Sequence, residues 1–224
     1  MSDEIKKGVI VEFDFSVAPG AEILYKAAED LLNEYEIPFS PRIEAQYLVG
    51  GNYLGGLTDY FNVVKTKRTA AKAAKDLAET FADELSKRIP ECVDQDFRDF
   101  ANFLISRKTK VVVATRADFG AIADAFADLT PNPDFTLYQE TSSAYGTVKW
   151  DDWRRASVAN RLRSMRVLAV AGSGLGVKSA LLAGMGAVAV ANDHVAYQDY
   201  SGADEIFDKL NLATAKRIAH IIRV

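Results

Sequence analysis

Cysteine is almost missing from this chain. A single Cys92 in 224 residues cannot close an internal disulfide, so no disulfide framework holds the fold. Such usage suits a reducing, cytoplasmic setting. Cys92 has no nearby His or second Cys and reads as structural. Histidine is scarce as well. His194 and His220 lie far apart, without the spacing of metal ligands. A basic excess is also lacking. The 27 Lys and Arg face 31 Asp and Glu, for a net charge of −4, which speaks against nucleic acid or an anionic membrane as partner. No apolar run approaches the roughly 20 residues that span a bilayer. The opening "MSDEIKK" lacks the apolar core of a secretion signal. There is no internal repeat and no low-complexity tail.

What remains is a chain that is 49% hydrophobic, enough for a substantial core. Its length suits one large domain, or a core domain with a smaller insertion. Residues 8–14 read as a strand buried on both faces. Residues 21–36 read as a helix, with Ile23, Ala27, Leu31 and Leu32 at helical spacing. "IPFSP" breaks it. A short helix follows at 42–49, then "GGNYLGG" as a mobile turn. An Ala- and Lys-rich helix at 67–87 carries a Leu77, Phe81, Leu85 seam, its charged stripe facing solvent. After Pro90, Asp94 caps a helix bearing Phe97, Phe100, Ala101 and Leu104 on one face.

From there strands and helices alternate. "KVVVAT" at 110–115 is a strand, "DFGAIADAFADL" a helix and "FTLYQ" a short strand. Asp151 caps a helix reaching about Leu162. "RVLAVAG" is a strand, "GVKSALLAGM" a helix, "GAVAVAN" a strand, and a last helix lies near 212–222. This order implies an α/β fold with a doubly wound parallel sheet. The first strand is separated from the others by a purely helical stretch. The economical division is a core of residues 1–15 and 89–224 with an all-helical cap at 16–88. Ligands of such sheets sit at the carboxyl ends of the strands. Those ends carry Glu12 and Asp14, then Thr115 and Arg116, then Gly172 and Ser173.

Four stretches stand in a telling order: "VIVEFDFSV", "KVVVATR", "GTVKWDDW" and "VLAVAGSGLGVKSALLAGM". Together they resemble the motifs of the haloacid dehalogenase-like hydrolases, in the phosphatase and β-phosphoglucomutase-like branch with a helical cap. The resemblance covers nearly the whole chain, since "AEILYKAAEDLLNEYEIP" follows the first motif without a gap as a first cap helix would. It implies a Rossmann-like core and a small phosphorylated metabolite as ligand. In that family a first Asp attacks phosphorus and forms an aspartyl-phosphate. A second Asp protonates the leaving oxygen and then activates water. A Ser or Thr and a Lys hold the phosphoryl oxygens, and Mg²⁺ bridges the carboxylates and offsets their repulsion.

Carried onto this chain, the nucleophile slot holds Glu12 and the acid/base slot Asp14. Ser16, Thr115, Arg116 and Lys149 become phosphate-binding, with Lys149 also in the catalytic set. Arg42, Asn52 and Tyr53 are the cap's candidates for substrate contact. Glu12 and Asp14 are the candidate Mg²⁺ ligands. Two positions depart from the family pattern. Glu12 is one methylene longer than Asp, and a misplacement of about 1 Å can cost a hundredfold in an in-line attack. The fourth motif places Gly172 where an acid belongs, and Asp193 substitutes only if its loop folds back. The resemblance therefore implies a degenerate site, with weak or absent phosphatase activity. The alternative is a non-catalytic relative that binds a phosphate ligand or a protein. A different register makes Asp14 the nucleophile, at the expense of the ungapped cap helix.

"GSGLGVKS" needs its own reading. It resembles a P-loop, but Val177 sits where the second glycine is required. The same Val177 fills the third glycine position of a dinucleotide-binding turn.

Overall fold

The computed structural model describes residues 7–48, 53–139, 150–191 and 198–224. Strands β1 (Gly8–Glu12), β2 (Lys110–Thr115), β3 (Phe135–Gln139), β4 (Val167–Ala171), β5 (Gly186–Val190) and β6 (Ile206–Phe207) form one sheet. Its order is β3-β2-β1-β4-β5-β6, and every pairing is parallel. The chain builds outward from β1 to one edge, then returns to build the other half from β4. The switch in direction lies between β1 and β4, where an open parallel sheet leaves a crevice at its carboxyl edge.

The strands read as unbroken apolar runs because both faces are covered. Val9 and Val11 point to one face and Ile10 to the other, as the two-residue period of a strand demands. Helices α8 (Trp150–Ala159) and α9 (Gly174–Leu182) cover the Ile10 face, with Trp153, Ala156 and Val177 in its core. Helices α6 (Gln95–Ser106) and α10 (Leu212–Ile221) cover the opposite face and pack on each other. Asp94 caps α6, its Oδ1 accepting from the Phe97 amide at 2.9 Å. The fold is therefore the doubly wound parallel sheet that the alternation of elements implies. Among the described residues no helix is long and apolar enough to cross a membrane.

Among the described residues, every element between β1 and β2 is a helix: α1 (Phe13–Ser16), α2 (Gly20–Glu34), α3 (Pro41–Tyr47), α4 (Tyr53–Val64) and α5 (Ala70–Cys92), then α6. Helix α5 packs on both α2 and α4, and α3 on α4. Their buried side chains join the sheet's own apolar core without a break, through Phe81, Leu85 and Ile89. The junctions expected at 15/16 and 88/89 fall inside α1 and α5, helices that run through both points. Pro90 does not end α5, which continues to Cys92. That close to the carboxyl end, the bond lost to the proline nitrogen is one of few still to be made.

Several local expectations need correction. The first strand stops at Glu12 and the chain then turns into α1, held by the Val17 and Ala18 amides donating to the Phe13 carbonyl. The tail of "GGNYLGG" is no turn, because residues from Tyr53 onward are helical. The stretch after Asp118 is one turn of α-helix, α7 (Phe119–Ile122), followed by a 3-10 turn. Asp151 lies inside the first turn of α8 and not at its cap.

Candidate functional site

Three strand tips meet at the switch point. Register places Glu12 level with Ala114, so Thr115 and Arg116 lie just beyond it on one side. Gly172 follows β4 on the other. The single turn of α1 lifts Asp14 over this edge. Its Ser16 hydroxyl donates to the Glu12 carbonyl at 2.7 Å, which fixes the turn on the end of β1.

The two acids face opposite neighbours. Glu12 Oε2 accepts from the Gly172 amide at 3.0 Å. This sets the carboxylate at the start of α9, where the helix's free amides favour negative charge. Ser173 caps the same helix, its Oγ accepting from the Gly176 amide at 3.0 Å. Asp14 Oδ2 accepts from the Arg116 amide at 3.0 Å, and the Arg116 Nη1 lies 3.8 Å from the same oxygen. Both carboxylates are buried. Burial pushes the Asp14 carboxyl above its ordinary range, against the opposing pull of the Arg116 charge, the Thr115 hydroxyl and the Arg116 amide. A carboxyl held this way keeps its proton longer, as a general acid must.

Tyr53, the first residue of α4, is buried within electrostatic reach of this edge. Burial first, then the charges of Asp14, Glu12 and Glu44, oppose ionisation of its phenol, while Arg116 eases it. Among the described residues, Tyr53 Oη, Asp14 Oδ1 and Arg116 Nη1 are buried with no hydrogen-bond partner. Buried polar groups in native folds almost always have one, so these three atoms keep unused hydrogen-bonding capacity among the described residues.

No protein-family model matches this sequence, and no curated protein does. Solved structures do. The β-phosphoglucomutase of Clostridium difficile superposes with a TM-score of 0.72 at 11% identity, covering 98% of both chains. CbbY of Rhodobacter sphaeroides, solved in complex with phosphate, gives 0.65 at 13% identity, covering 92% of this chain and 95% of that one. A haloacid dehalogenase-like protein of Agrobacterium tumefaciens gives 0.62 at 18%, covering 96% and 99%. The chain has the fold of the haloacid dehalogenase-like hydrolases. At such identities the likeness carries the fold and nothing finer.

Within this haloacid dehalogenase-like fold, the structure brings together Glu12, Asp14, Ser16, Thr115 and Arg116, with Tyr53 nearby. Thr115 is buried, and its Oγ1 also accepts from the Ala117 amide at 3.1 Å. Arg42 lies exposed on α3. Lys149, Asn52, Asp193 and His194 lie outside the described residues. Val177 is wholly buried in the core beneath α9, so "GSGLGVKS" is a capped helix start packed on the sheet. Sequence reasoning missed Glu44, a buried carboxylate on α3 that acts on Tyr53. The available signal was its place four residues before the buried Leu48, on one helical stripe.

The donors at hand fit Mg²⁺ poorly. One Glu12 oxygen is committed to Gly172 and one Asp14 oxygen to Arg116. Among the described residues no group of three His, Cys, Asp or Glu side chains is placed to hold a metal.

Proposed function

We propose that this chain binds a small phosphorylated metabolite at the tips of β1, β2 and β4, with weak phosphatase or phosphomutase-like turnover at most. The observation that carries this reading is Asp14. It is buried, proton-retaining and paired to Arg116, and its Oδ1 has no hydrogen-bond partner among the described residues. Asp14 serves as acid and base, and Arg116, Thr115, Ser16 and Lys149 hold phosphoryl oxygens. Glu12 occupies the nucleophile slot. Residues 16–88 act as a cap over the core of 1–15 and 89–224, and Arg42, Asn52 and Tyr53 are its substrate-facing candidates. The phosphate bound by the Rhodobacter CbbY supports the ligand class. The reducing cytoplasm suits a protein with one thiol.

The deciding experiment is hydrolysis of p-nitrophenyl phosphate and a wide phosphate-ester panel. Slow turnover abolished by Asp14→Asn is the expected result. No turnover and no phosphate-ester binding under any condition overturns it. A second reading, a non-catalytic binder, is favoured by the Glu12–Gly172 bond, because a carboxylate donated to by a backbone amide is a weaker nucleophile. Robust wild-type hydrolysis eliminates it.

A further inference from the structure

We infer that this site receives its anionic ligand without a divalent metal, the Arg116 guanidinium supplying the positive charge. The inference rests on the phosphorylated-ligand reading above and adds how that ligand's charge is met.

Three observations carry it. First, the Glu12 carboxylate is turned to the Gly172 amide at 3.0 Å, so one of its oxygens already has a donor. Second, a third carboxylate has no room at 172. A Cβ there would lie 2.2 Å from the Phe15 carbonyl oxygen and 2.3 Å from its carbon, since α1 rests directly on this residue. An acid at 172 would have to displace the turn that carries Asp14. Third, a cation is already in place. Arg116 Nη1 stands 3.8 Å from Asp14 Oδ2, and its side chain is only 15% exposed. That same nitrogen is buried with no acceptor among the described residues. A divalent ion beside Asp14 would face this fixed positive charge across low-dielectric surroundings, where repulsion is strong. A phosphoryl oxygen would instead complete the guanidinium's hydrogen bonding, which is planar and suited to such oxygens.

The test uses the full chain and two probes. Inorganic phosphate is titrated calorimetrically with EDTA present, then with millimolar MgCl2. Mn²⁺ alone is titrated and followed by its paramagnetic resonance. The expected result is one phosphate affinity, the same within about twofold in both buffers, and no tight Mn²⁺ site. Arg116→Gln should weaken phosphate by about tenfold or more, the scale of a charged hydrogen bond, and Arg116→Lys should recover part of it. Phosphate binding that requires Mg²⁺, or a micromolar Mn²⁺ site lost in Asp14→Asn, overturns the inference and leaves the ligand class standing. Absence of phosphate binding in every buffer, with no Mn²⁺ site, overturns the ligand class and the role of Arg116 with it. The comparison of phosphate binding with and without Mg²⁺ uses the unaltered chain, so a misfolded variant cannot obscure that result.

Discussion

Phe15 of α1 stacks on Phe81 of α5, ring centroids 5.6 Å apart and planes 14° from parallel. The same Phe15 carbonyl rests against Gly172. One residue thus ties the helical stretch to the strand tips and sets the height of Asp14 between them. Ser86 of α5 adds a polar tie, its Oγ accepting from the Asp118 amide at 3.1 Å. The helical stretch is therefore packed onto the acid-bearing turn.

Truncating that contact should register in both stability and the site. Phe81 is wholly buried, and Phe81→Ala is expected to cost about 3–5 kcal/mol, from lost burial and the cavity left behind. Because Phe15 loses its stacking partner, phosphate affinity should fall as well. Chemical denaturation and phosphate calorimetry on the variant check the two effects. Unchanged stability would mean that α5 does not hold α1 in place.

At Gly172 close approach, not turn geometry, requires glycine. Adding a methyl group places Cβ inside the Phe15 carbonyl, so Gly172→Ala must push α1 away or distort the end of β4. Overpacking of this kind typically costs about 1–3 kcal/mol. The amide that donates to Glu12 moves with it. A melting curve of Gly172→Ala indistinguishable from wild type would show that α1 yields freely.

Asp14 sets stability against function. The folded chain holds its proton more tightly than the unfolded chain, whose carboxyl titrates near 3.8. The extra stability is full below that value and is lost as pH rises through the folded pKa. Asp14→Asn removes the charge while its amide oxygen still accepts from the Arg116 amide. The variant is expected to lose turnover yet melt no lower than wild type at about pH 8. A marked fall in melting temperature would indicate that the Arg116 pairing outweighs burial.

How much of this was legible in the sequence depends on what decides each feature. The sequence marks strand β2 at its observed limits because a continuous apolar run fixes a strand buried on both faces. The Asp94 cap is legible because capping is local. Helix α4 escapes a sequence reading because Gly55 and Gly56 read as a turn. Gly56 is there for a different reason: a Cβ would come within 1.6 Å of the Tyr47 carbonyl oxygen, so the end of α3 touches α4 through it. Only the fold reveals that contact. The apolar pattern carries β1 two residues past Glu12 because Phe13 prolongs the run, and a buried helical turn such as Phe13–Ser16 looks the same in sequence as a buried strand end. At the site, the motifs ranked Glu12, Asp14, Thr115 and Arg116 together. The direction in which each acid turns depends on amides remote in the chain, at Gly172 and Arg116, and no local pattern encodes it.

Glu44 gives the sharpest pH prediction. It is 2% exposed, and its Oε1 has no hydrogen-bond partner among the described residues. Burial pushes its carboxyl up to about 7, from an ordinary value of 4.5. The folded chain therefore holds a proton that the unfolded chain has released across that interval. Stability from this group is complete below about pH 4.5, declines as pH rises, and is gone above about pH 7. Glu44→Gln is neutral throughout and escapes the decline. The variant should match wild type near the acid end and exceed it at about pH 8 by on the order of 2–3 kcal/mol. Denaturant unfolding of both proteins across this range measures the difference directly. A gap that stays flat with pH would mean that Glu44 titrates as an ordinary carboxylate, with solvent or a partner reaching it in the folded chain.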